Sequence, residues 1–187
     1  MWKEAIILFN IDEMYQDANF QNAQFLPEKI IELGRRWILS KKKTSLFLSG
    51  NVGSGKTYFS ICLLKELVDA GCRWVIFIKS NDLDLELLTA IEERREIGVL
   101  KKYCEVDFLF IDDLGVERLS ERMQRQYHTI IDRRTANYLP TVFTSNYEKR
   151  SINEILGSRI ASRLELAYEI KFPTKDFRKQ VLLAPLS

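Results

Sequence analysis

The stretch from Leu46 to Thr57 reads Leu-Phe-Leu-Ser-Gly-Asn-Val-Gly-Ser-Gly-Lys-Thr, and a periodic apolar segment follows it. A short apolar run, then G-x-x-x-x-G-K-T, then an amphipathic stretch is the strand–loop–helix context of a phosphate-binding loop. Gly50, Gly53 and Gly55 remove Cβ atoms where the backbone must turn tightly and approach an anion. The loop amides and the N-terminus of the following helix then present N–H donors and a positive dipole to it. This assigns nucleotide binding to Gly50, Asn51, Val52, Gly53, Ser54, Gly55, Lys56, Thr57 and Tyr58. Lys56 would reach the β- and γ-phosphates of ATP, and the Thr57 hydroxyl would ligate Mg²⁺. The competing reading is a chance glycine-rich turn, which both flanks of the motif argue against.

A chain of 187 residues suits one domain with room for a proper core. With a net charge of +2, the average composition does not point to nucleic acid, so any such site must be a local patch. Cys62, Cys72 and Cys104 form no C-x-x-C pair, which argues against structural disulfides and zinc and fits a reducing cytoplasm. A single histidine excludes a His-rich metal site. No apolar run approaches the roughly 20 residues of a membrane span, and Met1–Asn10 lacks a signal-peptide pattern.

Residues 1–26 read as an irregular arm, with Tyr15, Phe20 and Phe25 either docking on the domain or facing a base. Residues 27–187 read as one ATPase domain. Pro27 opens a helix with the stripe Ile30, Ile31, Leu33, Trp37 and Ile38, which the lysines at 41–43 end. That lysine run is either a solvated turn or a DNA contact. After the strand at 45–49, the next helix should bury Phe59, Cys62, Leu63, Leu67 and Val68, and Gly71 should stop it. Trp74–Ile78 is continuously apolar, as in a strand covered on both faces. A single helix from Asn81 or Asp82 to Gly98 should turn Leu85, Leu88, Ile91 and Ile97 inward.

Val106–Gly115 is the second landmark, an apolar strand that ends in two acids. In parallel α/β sheets ligands sit at the C-terminal ends of strands, so these acids would meet the glycine-rich loop. Asp112 would hold Mg²⁺, and Asp113 would polarise an attacking water. A solvated Asp-Asp-Leu-Gly turn is the alternative. A helix over 120–136 should bury Met123, Tyr127, Ile130 and Ile131. Its arginines, Arg122, Arg125, Arg133 and Arg134, with Arg118 just before it, make a modestly basic face. DNA contact, subunit contact and plain solvated surface are all open there, and His128 is assigned no chemistry. Pro140–Asn146 reads as another apolar strand ending in polar groups, which puts Asn146 at the same rim as Asp112. Ser151 and Ser158 look like helix caps. Tyr168–Phe172 alternates like a last strand, and Pro173 onward resembles a short basic tail.

Together these residues resemble the AAA+ ATPase module of bacterial replicative helicase loaders, the DnaC and DnaI type, and the related IstB-type ATPases that assist transposases. The resemblance runs from Phe20 to Arg178. Its specific parts are Gly50–Thr57, the Ile-Asp-Asp-Leu-Gly of 111–115, the Thr-Ser-Asn of 144–146 and the Arg-Ile-Ala-Ser-Arg-Leu of 159–164. It implies an α/β P-loop fold with a five-stranded parallel sheet, helices on both faces and no C-terminal lid. It also implies that Asn146 is a sensor and that Arg163 is an arginine finger reaching a neighbour's γ-phosphate. Arg159 would support that finger or contact the nucleotide. The implied partners are a replicative helicase or a transposase, single-stranded DNA and further copies of the chain. Full-length loaders carry an N-terminal helicase-binding domain for which the residues before position 45 are too few. The candidate DNA contacts are Lys101, Lys102, Tyr103, Arg118, Arg122 and Arg125. Two other readings stay open. One is a small nucleoside or nucleotide kinase. The other is a nucleotide switch with negligible turnover, because Asp113 is one methylene shorter than the commoner glutamate.

Overall fold

The structure, a computed structural model, describes residues 11–115 and 119–178. Arg118 and Met1–Asn10 therefore lie outside the described residues. Five strands, β1 (Leu46–Ser49), β2 (Val75–Lys79), β3 (Phe108–Asp112), β4 (Thr141–Ser145) and β5 (Tyr168–Lys171), form one sheet in the order β2-β3-β4-β1-β5. Every pairing is parallel. The helices are α1 (Glu28–Leu39), α2 (Lys56–Asp69), α3 (Ser80–Glu92), α4 (Glu96–Glu105), α5 (Glu121–Ala136), α6 (Ile152–Leu156) and α7 (Ser158–Leu164).

The strands look uniformly apolar because both faces of the sheet are covered. Leu46, Leu48, Phe110 and Val142 face a core built with α1, α2 and the arm. Phe47, Leu109, Ile111 and Phe143 face a second core built with α3 to α7. Adjacent residues thus serve opposite layers, as the two-residue period of a strand requires. The arm is part of the first core: Ile11, Ala18, Phe20, Ala23 and Leu26 are buried in it. Phe20 meets Phe59 edge-on at 5.6 Å. Gly34 lets α1 come close there, since a Cβ at that position would lie 2.8 Å from both rings. Lys79 Nζ, 2.7 Å from Asp12 Oδ2, ties the arm to the end of β2.

Helix α2 buries the five residues its periodicity marks out. It ends at Gly71, where the Gly71 N–H donates to Val68 O and the Cys72 N–H to Leu67 O, a Schellman closure. Ser120 caps α5, its hydroxyl accepting from the Met123 N–H at 3.3 Å. At Ser151 and Ser158 the caps expected from sequence do not form. Ser151 ends a 3₁₀ turn without a side-chain bond, and Gly157 holds the cap position before α7.

Two expectations are corrected. The helix expected over 82–98 is two helices broken at residues 93–95, where Arg94 adopts φ +57°. Leu85, Leu88 and Ile97 are exposed, and Leu83, Leu87 and Ala90 carry the buried face instead. The buried stripe is thus offset by one or two positions from the expected one, and Gly98 lies inside α4. Arg134, counted on the basic face, is 1% exposed. Its guanidinium donates to Val106 O (2.7 Å), Pro140 O (2.8 Å), Tyr103 O (3.0 Å) and Thr141 Oγ1 (2.8 Å). It thus pins the entries to β3 and β4. Burial lowers its pKa to about 10, which leaves it charged at neutral pH.

Replacing Arg134 by Met is expected to strand these acceptors and cost about 3 kcal/mol or more. Urea unfolding, read as a fall in midpoint at unchanged slope, checks this.

Candidate functional site

Adjacent strands β1 and β4 send their outgoing connections to opposite edges of the sheet, β2 and β5. That reversal opens a crevice at the C-terminal strand ends. The glycine-rich loop leaves β1 there, and the ends of β3 and β4 flank it. Lys56 is 5% exposed. Its ammonium donates to Gly50 O (2.8 Å), Asn51 O (2.9 Å) and Asn146 Oδ1 (3.0 Å). All three acceptors are neutral. Burial lowers the Lys56 pKa, and the fields of Asp113 and then Asp112 oppose this only in part. A buried cation without a paired carboxylate favours an anion in the crevice. The Ser54 hydroxyl, fully buried in the same loop, has no hydrogen-bond partner among the described residues. Both observations fit a phosphate group held by this loop.

Asp112 is 2% exposed. Thr144 donates to its Oδ1 at 2.6 Å, and the Thr57 hydroxyl lies 3.1 Å and 3.2 Å from its two oxygens. Burial, and then the neighbouring Asp113, raise its pKa to about 6 against these hydroxyls and Lys56. Such a carboxylate beside a threonine hydroxyl suits a divalent cation, which would hold it ionised. Thr57 and Asp112 are the residues that would carry Mg²⁺.

Asp113 has φ +56°, the left-handed region that Asp tolerates better than most residues. Its N–H donates to Thr144 Oγ1 at 2.9 Å, and its carbonyl accepts from the Ser80 hydroxyl at 2.8 Å. The twist points Asp113 into the cleft that Lys56, Thr57 and Asn146 also line. The next residues are locked to β4. The Leu114 N–H donates to Thr144 O at 2.8 Å, and the Ser145 hydroxyl donates to Leu114 O at 2.7 Å.

Tyr15, Phe25 and Phe177 form an aromatic wall of this cleft. Phe25 meets Tyr58 at 4.9 Å and Phe177 at 5.4 Å. The arm's aromatics thus both dock and face the cleft, which merges the two readings of that segment. Over residues 173–178 the tail reading is corrected: Phe177 is 5% exposed, and its N–H donates to Gly53 O at 2.8 Å, while residues 179–187 lie outside the described residues. Sequence reasoning gave no role to Thr144 or Arg178, both of which are at the site. The Thr-Ser-Asn segment contained the signal for Thr144, a hydroxyl one strand away from a buried acid.

The arginines assigned from the 159–164 motif lie elsewhere. Arg163 Nε donates to Asp132 Oδ1 at 2.6 Å. It lines a groove with residues 41–45 and 139–141, at the N-terminal ends of β1 and β4, so it sits at the opposite ends of the strands from the cleft. Arg159 lines a groove against Arg125 and His128 of α5. Neither lines this chain's own phosphate cleft. Tyr103, expected on a DNA-facing surface, is fully buried and donates to Glu86, so it cannot stack on a base. Lys102 is bound to the same Glu86 at 2.9 Å. Lys101, Arg122 and Arg125 remain exposed. Among the described residues, no three or more His, Cys, Asp and Glu side chains group together to hold a metal ion, and no helix is long and apolar enough to cross a membrane.

The family model for the IstB-like ATP binding protein matches residues 6–162. The chain belongs to this family. Among curated relatives of this IstB-like chain, YdaV of Escherichia coli K12 is 28% identical over 168 residues. That match covers 83% of this chain and 65% of YdaV, so the chain spans about two thirds of that relative's length. The replicative helicase loader DnaC of Buchnera aphidicola subsp. Baizongia pistaciae is 24% identical over 181 residues, covering 91% of this chain and 73% of the loader. The crystal structure of DnaI superposes with a TM-score of 0.77 at 25% identity, covering 88% of this chain and 96% of the crystallised chain. The parallel P-loop sheet of the IstB-like chain is therefore the fold of the loaders.

The Asp112 pKa carries a stability consequence. A carboxylate that titrates near 3.8 when unfolded and near 6 when folded favours the fold below about 4, and that contribution is lost as pH rises through 6. Asp112→Asn is expected to stabilise the nucleotide- and metal-free protein by about 2–3 kcal/mol above pH 6, a gain that shrinks toward pH 4. Denaturant unfolding at a series of pH values checks it, and a gain independent of pH would contradict it.

Proposed function

We propose that this chain is an ATP-hydrolysing helicase-loader-type module of DNA replication, which acts on single-stranded DNA as an oligomer. The observation that carries the reading is the convergence of Lys56, Asn146, Thr57, Asp112 and Asp113 at three adjacent strand ends. In this reading Lys56 and the loop amides hold the phosphates of ATP. Thr57 and Asp112 hold Mg²⁺, which supplies charge neutralisation on the phosphates. Asp113 accepts the proton of the attacking water, and Asn146, already bonded to Lys56, orients that water or contacts the γ-phosphate.

Arg163 acts in trans. Its placement away from the chain's own cleft fits that role, since only a neighbouring copy could receive it. Its ion pair with Asp132 is 41% and 39% exposed, a class of pair that contributes about 0–1 kcal/mol, so its release to a neighbour's phosphates costs little. Arg159, on the same short helix, supports that contact. The partner is a replicative helicase, as the loader relatives suggest, with DNA contacts on the exposed Arg122 and Arg125 of α5. A transposase in place of the helicase would use the same ATPase chemistry and would be distinguished by pull-down.

ATP hydrolysis per protomer is expected to rise with protein concentration and with single-stranded DNA. Lys56→Ala should abolish ATP binding, and Asp113→Asn should bind without turnover. Arg163→Ala should bind normally and lose DNA- and concentration-dependent hydrolysis by on the order of 10³. Wild-type hydrolysis by Arg163→Ala would remove the finger. Phosphate transfer to a nucleoside monophosphate would instead make the chain a kinase.

A further inference from the structure

The groove at the N-terminal strand ends is lined by the turns that enter β1, β4 and β5 and by the last turns of α5 and α7. Its volume is about 740 Å³, within the roughly 300–1,000 Å³ range of ligand clefts, so it suits a short segment rather than a domain face. Lys41, Lys42, Lys43, Arg134 and Arg163 line it, and no carboxylate does. The whole chain is nearly balanced, with 28 Lys and Arg against 26 Asp and Glu, so this lining is a local excess of positive charge. Arg134 is spent on backbone carbonyls, and Arg163 is shared with Asp132. Lys43 Nζ donates to Ser40 O at 2.9 Å, and among the described residues none of the three lysines is in an ion pair. Much of the remaining lining is apolar, with Phe108, Leu139 and Pro140 partly open and Leu166 66% exposed. Tyr138 adds an independent observation. It is the left-handed residue of the closure that ends α5, with φ +55°, and the Leu139 N–H donates to Arg134 O at 2.9 Å across it. Glycine or asparagine usually holds such a position, because a Cβ is strained there. Here a tyrosine holds it, and its ring is 92% exposed on the lip of the groove. Strain that gains no packing within the chain fits a contact made with another molecule.

We infer that this groove docks a short acidic peptide segment with apolar side chains, carried by a partner protein. The segment's carboxylates meet the lysine run and Arg163. Its apolar side chains cover Leu139, Pro140, Leu166 and the Tyr138 ring, tyrosine being a frequent anchor of interfaces. Charge complementarity selects an acidic partner. The apolar lining selects a peptide over a nucleic-acid strand, whose backbone presents a phosphate at every step. The lysine run, open between a solvated turn and a DNA contact from sequence, thereby becomes one wall of a protein-binding groove. The inference does not rest on nucleotide binding, because groove and phosphate cleft lie at opposite strand ends. It shares Arg163 with the contact proposed in trans, so a docked carboxylate would compete with a neighbour's phosphates for that guanidinium.

The test is selection of random phage-displayed peptides on the immobilised full chain, followed by fluorescence anisotropy of the enriched peptides. The proteins compared are the parent, the double variant Lys41→Glu with Lys42→Glu, Leu166→Asp, Tyr138→Gly and, at the far end of α1, Lys29→Glu. The melting temperature of each is recorded. Enriched peptides are expected to combine Asp or Glu with Leu, Ile or Phe. The double lysine variant should weaken them about 10-fold or more and remove most of the salt dependence. Leu166→Asp should weaken them comparably, and Lys29→Glu should bind like the parent. Tyr138→Gly should weaken them while its melting temperature holds or rises, because glycine relieves the left-handed backbone. Selection that enriches no acidic sequence would overturn the inference, as would peptides that bind every variant equally. If labelled oligothymidylate displaces the peptides and loses as much affinity in the double lysine variant, the groove is a nucleic-acid site and the inference fails. If no peptide is enriched and the groove variants instead change the sedimentation of the chain alone, the groove is an interface between copies and the inference also fails.

Discussion

The upper edge of the sheet depends on one buried carboxylate. Asp112, at 2% exposure, is held by Thr144 from β4 and Thr57 from α2. These contacts join the end of β3, the end of β4 and the first turn after the glycine-rich loop into a single unit. The Asp113 N–H returns to the same Thr144 hydroxyl, which fixes the left-handed turn that aims Asp113 into the cleft. Burial makes this carboxylate costly in its ionised form, so a cation beside it would stabilise that form. The opposite imbalance stands at Lys56, a buried ammonium among neutral oxygens. A cation-seeking group at the end of β3 and an anion-seeking group just after β1 thus lie on either side of β4, an arrangement that would suit a metal-bound polyphosphate.

The bottom of the sheet has a corresponding anchor. Arg134 binds carbonyls where β3 and β4 begin, and so sets the register of the two strands whose far ends carry Asp112, Thr144 and Asn146. Position at one end of a parallel pair is transmitted to the other by the ladder between them. Both chain ends of the described region close on the cleft. The arm contributes Tyr15 and Phe25, and the returning segment contributes Phe177 and Arg178. Aromatic contacts from Tyr58 through Phe25 to Phe177 hold them together.

Much of the fold was legible from local pattern. The strands read correctly because a doubly covered parallel sheet needs uninterrupted apolar runs. Helices α2 and α5 read correctly in that every residue their periodicity marked is buried, although α2 is buried on nearly all sides. The 80–105 region misread because two short helices share a stripe that neither completes alone, and Leu85, Leu88 and Ile97 carry the right period on the wrong face. Arg134 misread because charge marks a surface unless backbone carbonyls happen to converge on it, and no periodicity records that convergence. Tyr103 beside Lys102 looked like a stacking platform for the same reason.

The sequence by itself determined the glycine-rich loop, the paired acids and their placement at strand ends. Loop geometry and strand alternation are local, and each is encoded within about a dozen residues. Only the tertiary structure decided which polar groups meet. It bridged Asp112 and Asp113 through Thr144 and set Asn146 on Lys56. It carried Arg163 away from its own cleft and folded Asp176 and Arg178 over Gly53. These contacts join residues that are dozens of positions apart in the chain. Their partners are chosen by how the layers pack, and no stretch of sequence carries that information alone.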